Sequence, residues 1–138
     1  MPGRSTAAAA LIATLPGALP LAQAVAEPLG GEEIRARSLG GEFRGFGSTR
    51  RRALEDMIWR LGPDGTASSV STIRRGGRDS GEFIEYHDTG TWRVEGNRLC
   101  LNFSSVHSDL SGCYTVDGAG GDHVRLVGPV NLEGTLGH

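Results

Sequence analysis

The sequence predicts an all-β fold, a small antiparallel meander barrel of about eight strands with one short helix near its start. Short runs alternate between apolar and polar residues with a period of two, which is typical of strands that bury one face. Turn-forming glycine is abundant, with 22 residues in a chain of 138, against about 7 % in ordinary proteins. Because a meander of this size leaves exposed edges unless it closes, we expect a barrel or a flattened sandwich.

The clearest strands surround the two cysteines. Trp92 and Val94 alternate with polar residues, and Gly96-Asn97 follows as a two-residue hairpin turn. Cys100 and Cys113 lie in the next two runs, each on the face opposite the large apolar residues of its strand. If these strands are antiparallel neighbours, the two β-carbons lie close enough for a bridge. We therefore predict a Cys100–Cys113 disulfide.

Residues 1–26 have the pattern of a secretory signal peptide. Arg4 precedes an uncharged apolar run, and Ala24-Val25-Ala26 is a cleavage motif of small residues. Cleavage is expected between Ala26 and Glu27, which places the mature chain in the periplasm or outside the cell. That compartment favours disulfides, and an even number of cysteines fits it. No other run is long and apolar enough for a membrane-spanning helix.

The remaining residues are sufficient for one domain. Residues 27–41 are expected to form a short helix or a simple N-terminal arm, and residues 42–138 to form the barrel. Glu32 and Glu33 favour a helix start, while Arg35 and Arg37 favour its end. Gly40-Gly41 would stop the helix.

The predicted strands follow in order between turns. The first is Glu42 to Gly47, with Phe43 as a core anchor, and the second is Leu54 to Leu61. Gly62-Pro63-Asp64-Gly65 is a strong turn. Later strands are expected over residues 67–73 and 81–87, around Trp92, Leu99 and Tyr114, around Val124, and over the final residues, with Asp88-Thr89-Gly90 as a turn.

Four short motifs together carry a resemblance to a known family. They are Pro63-Asp64-Gly65-Thr66, Gly90-Thr91-Trp92-Arg93-Val94, Leu99-Cys100-Leu101 and Cys113-Tyr114. The pattern resembles a family of small, exported, uncharacterised alphaproteobacterial proteins with lipocalin-like β-barrel character, over residues 30–128. The resemblance implies an exported barrel and brings no catalytic residues with it. The arginine-rich segments at 50–52 and 74–78 depart from the family pattern.

Composition excludes some chemistry. The chain contains no lysine, which excludes a Schiff base or a lysine general base. A net charge of −2 argues against nucleic-acid binding as the main role. The sequence also lacks a phosphate-binding loop, a dinucleotide fingerprint, a G-x-S-x-G motif and a C-x-x-C motif. We therefore expect neither an enzyme nor a bound cofactor.

Three groups of residues are candidates for a binding site. Two arginine-rich loops would form an anion-binding rim if both open at one barrel end, and otherwise they are independent solvated loops. These arginines are Arg50, Arg51, Arg52, Arg74, Arg75 and Arg78. Aromatic residues would line a ligand cavity or simply fill the core. They are Phe43, Trp59, Phe83, Trp92, Phe103 and Tyr114.

The histidines are the third group. His87, His107 and His123 each lie near an aspartate and are weak candidates for zinc or copper ligands. The alternative is that they are solvated residues of turns and strand ends. The leading hypothesis is an exported binding or interaction domain for a small ligand, an envelope component or a protein. The alternatives are a metal-dependent or hydrolytic enzyme that uses these histidines, and a purely structural envelope protein.

Overall fold

The structure is a computed structural model that describes residues 27–49, 53–75 and 82–138. Within these ranges it contains nine strands, one α-helix and one turn of 3-10 helix. In chain order they are β1 (Glu27–Pro28), α1 (Gly31–Ser38), β2 (Glu42–Ser48), β3 (Ala53–Leu61), β4 (Thr66–Arg75), β5 (Glu82–Glu95), β6 (Arg98–Phe103), the 3-10 helix (Ser108–Leu110), β7 (Gly112–Gly118), β8 (His123–Val127) and β9 (Asn131–Gly137).

Strands β2 to β9 form one closed barrel. Each pairs antiparallel with the next strand in the chain, and β9 returns to pair with β2. The short strand β1 pairs with the end of β7, where Glu27 lies opposite Gly118. The predicted all-β barrel of about eight strands with one short helix is therefore confirmed.

The meander gives the barrel two different ends. The first end, called the helix end, carries α1 and the turns β3–β4, β5–β6 and β7–β8. Asn97, in the β5–β6 turn, accepts a hydrogen bond from the backbone N–H of Gly31 at 2.9 Å and so holds the start of α1. The opposite end carries the other four connections. One of these is the segment Ser104–Ser111 between β6 and β7, which we call the plug segment.

One predicted turn is wrong. Asp88-Thr89-Gly90 does not separate two strands but lies inside β5, a single strand of 14 residues. Gly90 serves a close approach instead of a turn, because a Cβ there would collide with the backbone carbonyl of Asn102 on β6. The side chain of Asp88 points to the barrel interior, where it binds backbone groups of the plug segment.

The two cysteines are bonded as predicted. Cys100 on β6 and Cys113 on β7 are direct partners in the strand register, and their Cα atoms are 4.0 Å apart. Both lie on the outer face, opposite the buried neighbours Leu99 and Tyr114. The disulfide therefore links two strands of the barrel wall without occupying its interior.

Replacing both cysteines with serine should lower the free energy of unfolding by about 3 kcal/mol, because the bond closes a loop of about a dozen residues in the unfolded chain. Urea unfolding of the oxidised protein, the dithiothreitol-treated protein and the double variant would measure this. The last two curves should coincide. A reduced protein that unfolds at the same urea concentration as the oxidised one would show that the bond contributes nothing.

Candidate functional site

Aromatic side chains fill the barrel interior. Trp59 is fully buried at its centre, and its ring centroid lies 5.2 Å from that of Phe43, 5.7 Å from that of Phe103 and 5.8 Å from that of Tyr114. These distances are typical of packed aromatic pairs. An eight-stranded barrel is just wide enough to be packed by side chains, so these four residues form a core and do not line a cavity.

The other two aromatic candidates have different surroundings. Trp92 is 8 % exposed, and its indole N–H donates to the carbonyl of Gly62 at 2.7 Å, which ties the β3–β4 turn to β5. Phe83 does not belong to the core, because it lies on the outer face of β5 and is 51 % exposed. The sequence predicts Phe83 as a core or cavity residue of a separate short strand. In the structure that strand is part of the continuous β5, and the side chain of Phe83 lies on its outer face.

Both ends of the barrel are closed. At the helix end, α1 buries Ile34 completely against the core cluster. At the other end, the plug segment buries Leu110 in the same cluster and His107 beside the ring of Phe103. The hydroxyl of Tyr114 donates a hydrogen bond to the carbonyl of Leu110 at 2.6 Å, which links the plug segment to β7 inside the barrel.

A buried carboxylate holds the plug segment in place. One oxygen of Asp88 accepts hydrogen bonds from the backbone N–H groups of Ser105 and His107, each at 2.9 Å, and the other accepts from Thr89 at 2.8 Å. Burial by itself raises the pKa of Asp88, but these three backbone donors outweigh it, so the pKa lies below the ordinary value. The carboxylate is therefore charged in the folded state.

Ser71, His107 and Asp88 together resemble the residues of a hydrolytic site, but their contacts indicate that they hold the plug segment against the barrel. The Ser71 hydroxyl and the His107 Nε2 are 2.7 Å apart, a distance that a nucleophile and its base would have. Both residues are fully buried. Asp88 binds the backbone N–H of His107, whereas a catalytic carboxylate orients the imidazole ring.

The three histidine candidates do not come together. His87 is exposed on β5, where its Nε2 lies 2.7 Å from a carboxylate oxygen of Glu85, and His123 is exposed at the start of β8. Strands β5 and β8 are separated by two strands of the wall. The expectation that all three are solvated residues at turns or strand ends is wrong for His107, which is buried, and for His87, which lies inside a strand.

The predicted arginine rim lies largely outside the described residues. Arg50, Arg51, Arg52 and Arg78 are not among them, and Arg74 and Arg75 end strand β4. The β2–β3 and β4–β5 connections belong to the same end of the barrel, as a common rim requires. The rim stays a prediction.

An open cleft on the outer wall brings together a different set of residues. It has a volume of about 330 Å³ and runs across β2, β9 and β8. Arg44, Thr135 and His123 are register partners in one row across the three strands. Phe46, Glu133 and Arg125 form the next row. We call these six residues the wall cleft.

Phe46 gives the wall cleft an exposed aromatic ring. Phe43 points into the barrel, so Phe46, three positions later, points outward and is 54 % exposed. Gly45 and Gly134 face each other beneath it, and a Cβ on Gly134 would collide with the backbone of β2. The two glycines thus allow β2 and β9 to approach closely under the cleft.

Two arginines line the same cleft as this ring. Arg44 bonds to Glu42 at 3.2 Å and Arg125 bonds to Glu133 at 3.0 Å. More than half of each arginine side chain is exposed, so both ion pairs are of the surface type, whose contribution to stability is small. Each guanidinium can therefore exchange its glutamate for a carboxylate or phosphate of a ligand.

Sequence reasoning missed the wall cleft. It assigned Phe43 to the core and gave no role to Phe46, Arg44 or Arg125. The position of Phe46 in the alternation of β2 was the available signal, since it shares the face of the polar residues Glu42 and Arg44. Arg125 lines the same cleft as Arg44 and Phe46 because β9 returns to pair with β2, which local patterns do not indicate.

Replacing Asp88 with asparagine should lower the free energy of unfolding by about 2 kcal/mol at neutral pH, because an amide NH2 then faces backbone N–H donors. Because the pKa of Asp88 is lowered in the folded state, its charged carboxylate contributes its full stabilisation above the ordinary carboxyl pKa of about 3.9. That stabilisation is lost as the pH falls through the lower folded value.

The difference between wild type and D88N should therefore shrink below about pH 4. Urea unfolding across acid pH measures it, with the exposed Asp56→Asn as the control. An equal effect of both substitutions would contradict the assigned role of Asp88.

Comparisons with known proteins leave the family open. No protein-family model and no curated protein matches the chain. The resemblance to small exported barrels therefore stays a prediction. In the part of the chain that the structure describes, no helix has the length and apolar character needed to cross a bilayer.

Proposed function

We propose that this protein is an exported binding domain whose ligand binds on the outside of the barrel, at the wall cleft. The observation that carries the proposal is Phe46, an exposed ring that lines one cleft together with Arg44 and Arg125. A flat apolar face can stack on the ring while an anionic group binds an arginine. The ligand class is therefore a cyclic molecule with a carboxylate or phosphate.

A rigid support favours this site. The cleft lies on three paired strands of a closed barrel, and Leu132 and Leu136 anchor β9 from the inner face. A site on paired strands is held in position before the ligand arrives, which reduces the entropy lost on binding. The packed interior supports the same conclusion, since Trp59 occupies the space that an internal ligand would need.

Export is part of the proposal. The disulfide between Cys100 and Cys113 fits an oxidising compartment. The expected cleavage point directly precedes Glu27, whose backbone is already paired with β7. A mature protein that starts at Glu27 would keep every described contact.

Galacturonate should bind the wall cleft with a dissociation constant on the order of 1 mM, since about −0.3 kcal/mol for each of its non-hydrogen atoms gives about −4 kcal/mol. Amide chemical shifts of the isotope-labelled mature protein would measure it. The largest shifts are expected at Arg44, Phe46, Arg125 and Thr135. Neutral methyl galactoside, which lacks the carboxylate, should bind more weakly.

Phe46→Thr should weaken galacturonate binding about tenfold, equivalent to about 1.4 kcal/mol. Phe83→Thr is the matched control, because Phe83 has nearly the same exposure, 51 % against 54 %, and lies on β5, which two strands separate from β2. Arg125→Gln is matched in the same way by Arg93→Gln, since each arginine is 59 % exposed and paired with a glutamate. Equal effects in either matched pair would refute the wall cleft as the site.

The alternative is a hydrolase that uses Ser71 and His107, and the 2.7 Å contact between them is what favours it. Because both side chains are fully buried, a fluorophosphonate probe should not label the folded protein. Mass analysis after incubation would measure the labelling. Labelling of Ser71 that is lost in the His107→Ala variant would support the hydrolase hypothesis and count against a purely binding role.

A further inference from the structure

A second cleft lies at the helix end, one register row beyond the wall cleft. That cleft has a volume of about 430 Å³, and its lining includes Glu42, Arg60, Gly137 and the chain end at His138. Glu42 and Gly137 are register partners, in the row next to Arg44 and Thr135 of the wall cleft. The Arg44 guanidinium, which lines the wall cleft, donates a hydrogen bond at 3.2 Å to Glu42, which lines the second cleft.

The two clefts therefore lie in line along the outer faces of β2 and β9, and together we call them the groove. From Glu42 to Phe46 the groove follows four residues of extended strand, about 14 Å at 3.4 Å per residue. Gly137 and the chain segment Gly40-Gly41 contribute no side chains to its walls. A groove of this length accommodates several units of a linear chain, whereas a single small molecule would fill one part of it.

Positive charge is spaced along the groove and is not concentrated at one point. Arg60 lies 3.7 Å from Glu42 at one end, Arg44 shares the same glutamate, and Arg125 pairs with Glu133 at the other end. Three arginines are thus balanced by two glutamates. All three arginine side chains are more than half exposed.

We infer that the groove binds a linear acidic polysaccharide, a chain of sugar rings with carboxylates at intervals. Phe46 stacks on the apolar face of one ring, and Arg60, Arg44 and Arg125 meet carboxylates along the chain. This inference rests on the proposed function, because it assigns a polymer to the wall cleft and extends the site to Arg60.

Charge density favours a polysaccharide over a nucleic acid. Each arginine of the groove is already shared with a glutamate, and the whole chain carries a net charge of −2. A nucleic acid brings a phosphate at every nucleotide and is held by dense basic surfaces. A polysaccharide with one carboxylate per sugar and neutral hydroxyl groups between them carries less negative charge, so the glutamates of the groove repel it less than they would repel a nucleic acid.

The experiment compares galacturonate with its trimer and hexamer on the mature protein, by calorimetry at equal concentrations of sugar units. The hexamer should bind at least about tenfold more tightly than the monomer, because its units engage sites at a high effective concentration. Arg60→Gln should lower hexamer affinity about fivefold and leave monomer binding unchanged. The control Arg93→Gln should change neither, and thermal midpoints would verify that both variants fold.

Each other result overturns the inference in a distinct way. If the monomer binds at the wall cleft and the hexamer binds no more tightly, the polymer is refuted while the proposed function stands. If a neutral cellulose hexamer binds as well as the galacturonate hexamer, the acidic class is wrong. Tighter binding of a thymidine oligonucleotide would assign the groove to nucleic acid. No binding of any probe refutes both proposals.

Discussion

The packing of Trp59 against three other rings is the constraint on which the rest of the structure depends. Eight strands enclose a space that side chains can just fill, and these rings fill it. The interior is then a core like that of any small domain, and its stability comes mainly from buried apolar area. Any recognition must therefore use the outer faces of the strands or the connections between them.

At both ends of the barrel, polar side chains accept hydrogen bonds from backbone N–H groups. Asp88 accepts hydrogen bonds from two backbone N–H groups of the plug segment, and Asn97 accepts one from the first turn of α1. Without Asp88, the buried N–H groups of the plug segment would each cost free energy. The histidine and serine that resemble a catalytic pair belong to the same closure, which explains their burial better than a reaction would.

Local patterns in the sequence were sufficient for much of the fold. Alternation around Trp92, the Gly96-Asn97 turn and the placement of Cys100 and Cys113 indicate adjacent strands because these signals act over a few residues. The error at Asp88 arose because aspartate and glycine favour turns locally, whereas here distant partners on the plug segment and β6 decide their conformation. The candidate site depends on long-range pairing, so its arginines were not found.

The groove lies over the seam at which the first and last strands of the barrel, β2 and β9, meet. These strands are held together at this seam without a covalent link, while β6 and β7 are joined by the Cys100–Cys113 bond. A chain molecule lying along the seam would touch both terminal strands at once. Its binding would add contacts across the pairing of β2 with β9, so an occupied seam would resist unfolding more strongly than an empty one.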